Sequence, residues 1–473
     1  MAGSRKGEKE PKSAGLTIWS FAGMLALGTG YYLAVRAEIN SMLFADFFLA
    51  VLLVIVGTYF LFTSGSIALL KYMKKRKRYY YRPENFITVS GMLYRMKKNA
   101  AGLSNICIFA TMFLITVICT VSLGLSIDSI TAYSYPRTFE LYFNGEQDEA
   151  SLKAVMERAA SENGVELEDY LGWSGIPDEE VYIEGNRFRA REAGDNIYDS
   201  NSVLLMTAEE FGAMEHSQVS LEAGEILIFS GGADLGYDTL VVGGSQWRIK
   251  EELAECSYGK RVKNDTSGRD FVIVFADSGE RIQAAAGLGL GEEQKAFRMA
   301  CNPRGEAGAI DAFRDDAAAA LADTAGYVTY GDYRQEIAEV ESMYGGLMFI
   351  GIFFGSIFLI CLLIIMYYKQ ITEGFEDQNN FEIMQKVGMS DEEIRGTIQK
   401  QIRLVFALPL AGAILHTVVG MNMVVMLMAA LHNYEVKLMV VCTTAVCTVF
   451  AVVYALCYKR TSTTYYKIVR HMN

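Results

Sequence analysis

The chain has 473 residues, 51% of them apolar, with 43 basic against 55 acidic side chains and a formal charge of −12. A mean hydropathy of +0.18 and only six prolines exclude a plain string of soluble domains. Six uncharged stretches, between Lys12 and Arg36, Asp46 and Lys71, Lys98 and Asp128, Glu341 and Lys369, Arg403 and Glu435, and Lys437 and Lys459, each reach the ~20 residues a helix needs to cross hydrocarbon. The charge divides with them: residues 127–343 carry 42 acidic and 18 basic side chains, a net −24, and the rest carries 13 and 25, a net +12. The expected fold class is therefore an α-helical polytopic membrane protein with six transmembrane helices and one large acidic domain between the third and the fourth.

In chain order, residues 1–70 hold the first two spans, preceded by Arg5, Lys6, Lys9 and Lys12. The first span is too long for a cleavable signal peptide and has no small-residue cleavage site. Residues 71–99 are a basic cytoplasmic segment: Lys71, Lys74, Lys75, Arg76, Lys77, Arg78 and Arg82 stand without an acid, and positive charge marks the inner side. Such a run can also bind nucleic acid, but flanking spans favour the membrane surface, and no nucleic-acid partner is expected. Within the segment, Phe86, Val89 and Leu93 share one helical face while Arg95, Lys97 and Lys98 cluster late, as in an amphipathic helix lying in the inner interface. The third span is 100–126. Lys459, Arg460, Lys467 and Arg470 follow the sixth, so both termini are expected inside and the acidic domain outside. Trp19, Tyr31, Tyr32, Tyr79–Tyr81, Tyr367 and Tyr368 read as interfacial anchors.

The expected outer domain, 127–343, alternates strand-like and helical runs and reads as α+β. Strands are predicted over Arg137–Phe143, Val203–Met206, Glu225–Phe229, Thr239–Val242 and Phe271–Phe275, and helices over Asp148–Glu162 and Gly305–Ala322. Thr207 with Glu210 has the spacing of a capping box. Cys256 and Cys301 can form a disulfide or stay thiols; spacing leaves this open. Asp332–Tyr344 has helical spacing and runs without a proline through Gly345 and Gly346 into the fourth span. A continuous helix there would carry movement across the bilayer; a plain connector is the alternative. Spans four to six occupy 344–460 and include a polar cytoplasmic loop at 369–403. Its helical core is Phe381–Val387, ended by Gly388 and followed by a new start at Ser390 and Glu393. That short helix is either a docking knob for a soluble partner or a hairpin turn. Residues 461–473 form the tail.

Catalytic signatures are missing. There is no phosphate-binding G-x-x-x-x-G-K-[ST], H-E-x-x-H, paired C-x-x-C or G-x-S-x-G, so no catalytic residue, no metal site and no bound cofactor are expected, and the chain is not expected to be an enzyme. Gly287, Gly289 and Gly291 have the wrong spacing for a nucleotide loop and read as a solvent loop. In the spans, His416 and Asn422 point to different helix faces and are expected to make interhelical hydrogen bonds. Gly351 and Gly355 form a GxxxG that allows close helix packing, with Gly346 extending the stripe. Pro409 should kink the fifth span.

Two stretches carry a family resemblance: GSIALLKYMKKRKRYYYRPENFITVSGMLYRMKKNAAGLSNI at 65–106 and YYKQITEGFEDQNNFEIMQKVGMSDEEIRGTIQKQIRLVFALPL at 367–410, with TTYYKIV at 463–469. The chain resembles the FtsX-like permeases of ABC transporters, and among them the bacitracin-type antimicrobial-peptide export permeases. The resemblance implies a cytoplasmic ATPase dimer, with ATP and Mg²⁺ bound in that partner. It assigns the ATPase-coupling contact to Phe381, Glu382, Ile383, Met384, Gln385, Lys386, Val387, Gly388 and Met389. It also implies an extracellular peptide or peptide–lipid ligand and a sensor histidine kinase as a second partner. Permeases of this type look like ten-span chains. The six spans here correspond to a linking pair and a second four-span unit, and GEKEPK at 7–12 looks like the middle of such a chain, so the first unit is expected to be missing: the chain is either a fragment of a longer one or a split subunit whose first half a separate chain supplies. A non-transporting mechanotransmitter acting on a cell-wall hydrolase, or a receptor that only signals, are the alternatives.

Overall fold

The computed structural model describes residues 13–38, 42–76, 83–195, 200–231, 235–258, 270–386, 391–431, 433 and 435–470; within its helices and strands the side chains of 13–14, 83–92, 94–99, 133, 179, 373, 376–386, 391–405 and 461–470 are outside the description. The chain divides into two units: 1–125 with 344–431 and 435–473, and 126–343 with 432–434.

The first unit is helical. Its elements are α1 (Ser13–Val35), α2 (Leu43–Phe60), a π-helical turn (Leu61–Gly65), α3 (Ser66–Lys75), the greater part of α4 (Pro83–Ser134), and the spans of α9 (Arg334–Lys386), α10 (Asp391–Ala429) and α11 (Val436–Arg470). Among the described residues six helical stretches are long and apolar enough to cross a membrane: Gly15–Val35, Leu43–Lys75, Ala100–Ala132, Arg334–Thr372, Phe406–Ala429 and Val436–Arg460. They fit a polytopic membrane protein. The segment read as an interfacial helix is the first part of α4, with no break before the span. Likewise α9 runs unbroken through Gly345 and Gly346, and α10 through Pro409.

The helices pack through small residues and a shared apolar core. An added Cβ at Gly57 would lie 2.7 Å from the Leu27 nitrogen and 3.0 Å from the Gly23 carbonyl, so α1 and α2 cross with backbones in contact. Phe62 and Leu70 meet Leu103, Ile106, Ala110 and Leu114 of α4, Leu362 and Met366 of α9, Phe406 and Ala413 of α10, and Phe450 and Tyr454 of α11.

The second unit is built from two sheets that share one strand. Its strands are β1 (Phe139–Asn144), β2 (Glu166–Glu184), β3 (Arg187–Arg189), β4 (Asn201–Thr207), β5 (Glu225–Phe229), β6 (Thr239–Val242), β7 (Ser245–Leu253), β8 (Asp270–Phe275), β9 (Ala296–Arg304) and β10 (Tyr327–Asp332). Its helices are α5 (Glu149–Asn163), α6 (Ala208–Met214), α7 (Ser278–Gly287) and α8 (Ala307–Leu321). The order β10-β1-β9-β2, all antiparallel, with α5 after β1 and α8 before β10, is a split βαβ arrangement. Alternation sends Phe139, Leu141, Phe143, Phe297, Met299 and Cys301 to one face, where α5 (Leu152, Met156) and α8 (Phe313, Ala317) cover them.

Between β2 and β9 the chain inserts a second layer. The far half of β2 pairs with β3 and with β4, and the ladder β2-β3-β6-β7-β5-β8-β4 returns to β2, closing a seven-stranded ring. A closed ring leaves no free edge. Both faces of its central strands are buried. Val203, Leu205, Ile226, Ile228, Phe271 and Ile273 fill one core with Ala284 and Ala285 of α7, while Leu204, Met206, Leu227, Phe229, Val272 and Val274 meet Phe211 and Met214 of α6. The predicted capping box is present: Glu210 N donates to Thr207 Oγ1 at 3.2 Å and Thr207 N to Glu210 Oε2 at 2.8 Å. Glu210 also receives Arg281, 1% exposed, at 2.6 and 2.7 Å, and Lys295 at 2.9 Å, while Arg281 reaches Glu292 at 2.6 Å.

Of the glycine cluster, Gly289 and Gly291 lie in the turn after α7, and an added Cβ at Gly289 would meet open space, as expected of a solvent loop, whereas Gly287 ends α7 so close to Gly243 that an added Cβ would lie 1.8 Å from the Gly243 carbonyl oxygen. Cys256 and Cys301 belong to different cores and no disulfide joins them. Burial pushes the Cys301 thiol up to about 12.

Candidate functional site

The residues singled out on the loop are only partly in view. Phe381, Glu382, Ile383, Met384, Gln385 and Lys386 are the last residues of α9, with side chains outside the description; Val387, Gly388 and Met389 lie outside the described residues. Phe86, Arg95, Lys97 and Lys98 lie on the α4 backbone with their side chains also outside it, and Leu93 packs half-buried on the helical core. Gly351 faces Thr120 and Gly355 faces Val117 and Thr116, all on α4, while Gly346 faces open space. Among the described residues no group of His, Cys, Asp and Glu could hold a metal ion.

The two polar residues expected to bond between spans do so. His416 on α10 is 2.6 Å from Tyr31 Oη on α1 and 3.0 Å from Thr58 Oγ1 on α2, one ring nitrogen to each. Six residues on, Asn422 Nδ2 donates to the carbonyls of Val35 (3.0 Å), Ala37 (3.3 Å) and Ala34 (3.4 Å). The Ala34 and Val35 carbonyls are among those left unpaired by the end of α1, so Asn422 acts as a cap supplied by another helix. Tyr344 Oη on α9 donates to Leu431 O at 2.8 Å, and Tyr454 Oη on α11 to Phe406 O at 3.0 Å. Each ties a phenol hydroxyl to a backbone carbonyl of another segment.

The sequence reading missed a cavity of about 540 Å³ in the sheet-rich unit, on the face of the split βαβ sheet that α5 and α8 leave open. The same alternation that sends Phe139 and Met299 to the helices sends Glu140 and Tyr142 of β1, Leu171 and Trp173 of β2, and Arg298 and Ala300 of β9 into it. Register then aligns three of them in a row: Tyr142 lies opposite Arg298, and Arg298 opposite Trp173. The Arg298 guanidinium is 3.9 Å from the Tyr142 ring centroid and 5.8 Å from that of Trp173, and the ring faces favour the cation. The ring of strands supplies another wall, with Asp178, Asn201, Ser202, Val203 and Asp270, and Tyr258 meets Trp173 edge to face at 5.0 Å.

The third wall is the junction with the long helices: Ser134 ends α4, Tyr333 directly precedes α9, and Tyr135, Pro136 and Arg137 follow Ser134. The rings of Tyr135 and Tyr333 are 5.3 Å apart, and the Tyr142 and Tyr333 hydroxyls share a hydrogen bond. Tyr142 also donates to Glu140 at 2.8 Å. Burial, the Tyr333 hydroxyl and the Glu140 charge all raise the Tyr142 pKa, so this phenol stays protonated. Burial lowers the pKa of Arg137, against the pull of Asp169 and Glu140, and its Nε donates to the Asp169 carbonyl at 2.7 Å.

No family model matches the chain. Its homologues are ABC transporter permeases. The ABC transporter permease protein YxdM of Bacillus subtilis is 22% identical over 453 residues, covering 89% of this chain and 64% of the relative. The uncharacterized ABC transporter permease YvcS of the same organism is 24% identical over 437 residues, 87% and 64%. The bacitracin export permease protein BceB of Halalkalibacterium halodurans is 22% identical over 387 residues, 77% and 55%. The chain thus spans less than two thirds of the length of each of these curated relatives.

Proposed function

From this homology we propose that the chain is a permease subunit of an ABC transporter in the bacterial plasma membrane, with both termini and the loop after the fourth span in the cytoplasm and the sheet-rich unit outside. An ATPase dimer in separate polypeptides binds ATP and Mg²⁺ and docks on Phe381–Met389. A sensor histidine kinase reads the movement. The ligand is an extracellular peptide, antimicrobial in kind, or a peptide–lipid complex. The observation that carries this reading is the alignment with ABC permeases, one of them named for bacitracin export, over most of the chain. The basic excess of the remainder outside 127–343 supports the orientation.

The helices suggest the coupling route. α9 begins at Arg334, directly after the cavity residue Tyr333, and ends at Lys386 in the docking segment. A change at either end therefore reaches one continuous element. Glu382→Lys combined with Gly388→Pro is expected to abolish co-purification of the ATPase while leaving membrane insertion intact. An ATPase that still co-purifies at wild-type levels removes the docking assignment. The same unbroken helix would serve a non-transporting mechanotransmitter; a cell-wall hydrolase captured on the sheet-rich unit, with no ligand moved, selects that second reading.

A further inference from the structure

Among the described residues, five charged side chains line the cavity, and no ion pair joins them. Seven arginines of this unit, Arg248 and Arg334 among them, sit in carboxylate ion pairs. Arg137 and Arg298, both on the cavity wall, form none among the described residues. Arg298 has aromatic rings for company, which stabilise the cation while leaving its N–H donors available for an oxyanion. The acids stand on another wall. Asp178 pairs in register with Val203, and Asp270 with Ser202, so the two carboxylates sit on the strands flanking β4. Asp270 accepts from the Ser202 hydroxyl and Asp178 from the Glu180 amide. Trp173 and Tyr258 add an apolar surface.

We infer that this cavity binds a zwitterionic ligand of the amino-acid or short-peptide class: its carboxylate meets Arg298 and Arg137, its ammonium faces Asp178 and Asp270, and an apolar or aromatic side chain rests on Trp173 and Tyr258. A polyanion such as a di- or triphosphate suits the site poorly, because Glu140, Asp178 and Asp270 outnumber the two guanidiniums. A volume of about 540 Å³ lies within the range of small-molecule sites. The inference stands on the cavity and not on the permease reading, and its test needs neither ATP nor an ATPase.

The test is equilibrium binding to the full chain in nanodiscs, with glycyl-phenylalanine as the probe beside its C-terminal amide and its N-acetyl form. Each blocked form is expected to bind about tenfold more weakly, since each loses one charge-assisted contact. Arg298→Gln should bring glycyl-phenylalanine down to the level of its amide, and Asp178→Asn should erase the preference over the N-acetyl form. The two variants lie on different walls, so one that fails to fold leaves the other to decide. Inorganic phosphate should displace the dipeptide no better than acetate does. The inference is overturned by no saturable binding at millimolar concentration, by equal affinity for the three forms, or by phosphate competing more strongly than acetate in a manner lost with Arg298→Gln.

Discussion

Three glycines on one helix, given the same substitution, should respond in three different ways. An alanine at 351 would set its Cβ 2.0 Å from Thr120 Oγ1, 3.1 Å from Thr120 Cβ and 3.2 Å from its Cγ2. The Thr120 hydroxyl is committed to the Thr116 carbonyl at 2.7 Å, so its rotation breaks that bond, and otherwise α4 and α9 must move apart. Overpacking of this kind costs roughly 1–3 kcal/mol, and the higher helix propensity of alanine returns about 1 kcal/mol. Gly351→Ala is therefore expected to destabilise by up to about 2 kcal/mol. At 355 the new Cβ would stand 3.4 Å from Val117 Cγ2, an ordinary contact, and at 346 it meets nothing within 4 Å. Both of these changes should keep the propensity gain and stabilise by up to ~1 kcal/mol. The assay is the fraction of monodisperse protein after heating in detergent, read for the three single variants and for Thr120→Ala with and without Gly351→Ala. The double variant should recover at least ~0.5 kcal/mol relative to the sum of the singles. If Gly351→Ala melts with Gly355→Ala, or if Thr120→Ala adds without coupling, close packing of α9 on α4 at this point is refuted.

Other outcomes follow from the polar contacts. Arg281→Met should destabilise the sheet-rich unit by about 1.5–3 kcal/mol, because Glu210 loses two charge-assisted bonds while keeping Lys295; Arg304→Ala, at an exposed pair with Glu168, should cost less than ~1 kcal/mol. Chemical unfolding followed by tryptophan emission measures both. His416→Phe and Asn422→Leu should each weaken the hold of α1 and α2 on α10, by roughly 0.6–1.7 kcal/mol in the same heating assay. Asp332 accepts from Arg334 at 2.9 Å and from Arg314 at 3.2 Å, and the Arg334 hydrogen bond holds its carboxyl below the usual range. Its ionised form is favoured by folding, so its contribution is fully present above the unfolded pKa near ~3.9 and is lost as pH falls through the lower folded value. The stability gap between wild type and Asp332→Asn should hold steady from neutral pH to about pH 5 and close at lower pH; a gap that widens on acidification contradicts this.

Legibility followed the range of the physical signal. The spans were plain because about 20 apolar residues in a row admit few other readings. β5 and β6 fall where alternation and β-branched content put them, and the Thr207 cap is a three-residue pattern that completes itself locally. β2 escaped notice because Gly172, Gly175 and Pro177 interrupt it, and register shifts at Glu168/Leu171 and Asp178/Val181 break its pairing on either side of the change of sheet at Gly175–Ile176. β9 was hidden by Pro303 near its end, and β10 is a mostly exposed edge. The close crossing of α1 on α2 rests on Gly23 and Gly57, 34 positions apart, which no periodicity within either helix announces. His416 and Asn422 could be read because a polar side chain in a span must find a partner, although which helix supplies it depends on packing. The cavity was beyond reach for a stronger reason. Tyr142, Trp173 and Arg298 are neighbours only through the register of three strands drawn from distant parts of the chain.

The sheet-rich unit leaves the chain almost where it enters. The Tyr333 amide donates to the Thr138 carbonyl at 2.8 Å, and β1 and β10, its first and last strands, are hydrogen-bonded neighbours. The closed ring repeats the device on a smaller scale, leaving from the far half of β2 and returning before β9, the strand adjacent to it. Such nesting makes the protein modular in heredity as well as in shape. An insertion whose ends meet can be lengthened, replaced or trimmed to a short linker without threading the host anew. The helices on either side can thus stay unchanged while the cassette between them is remade.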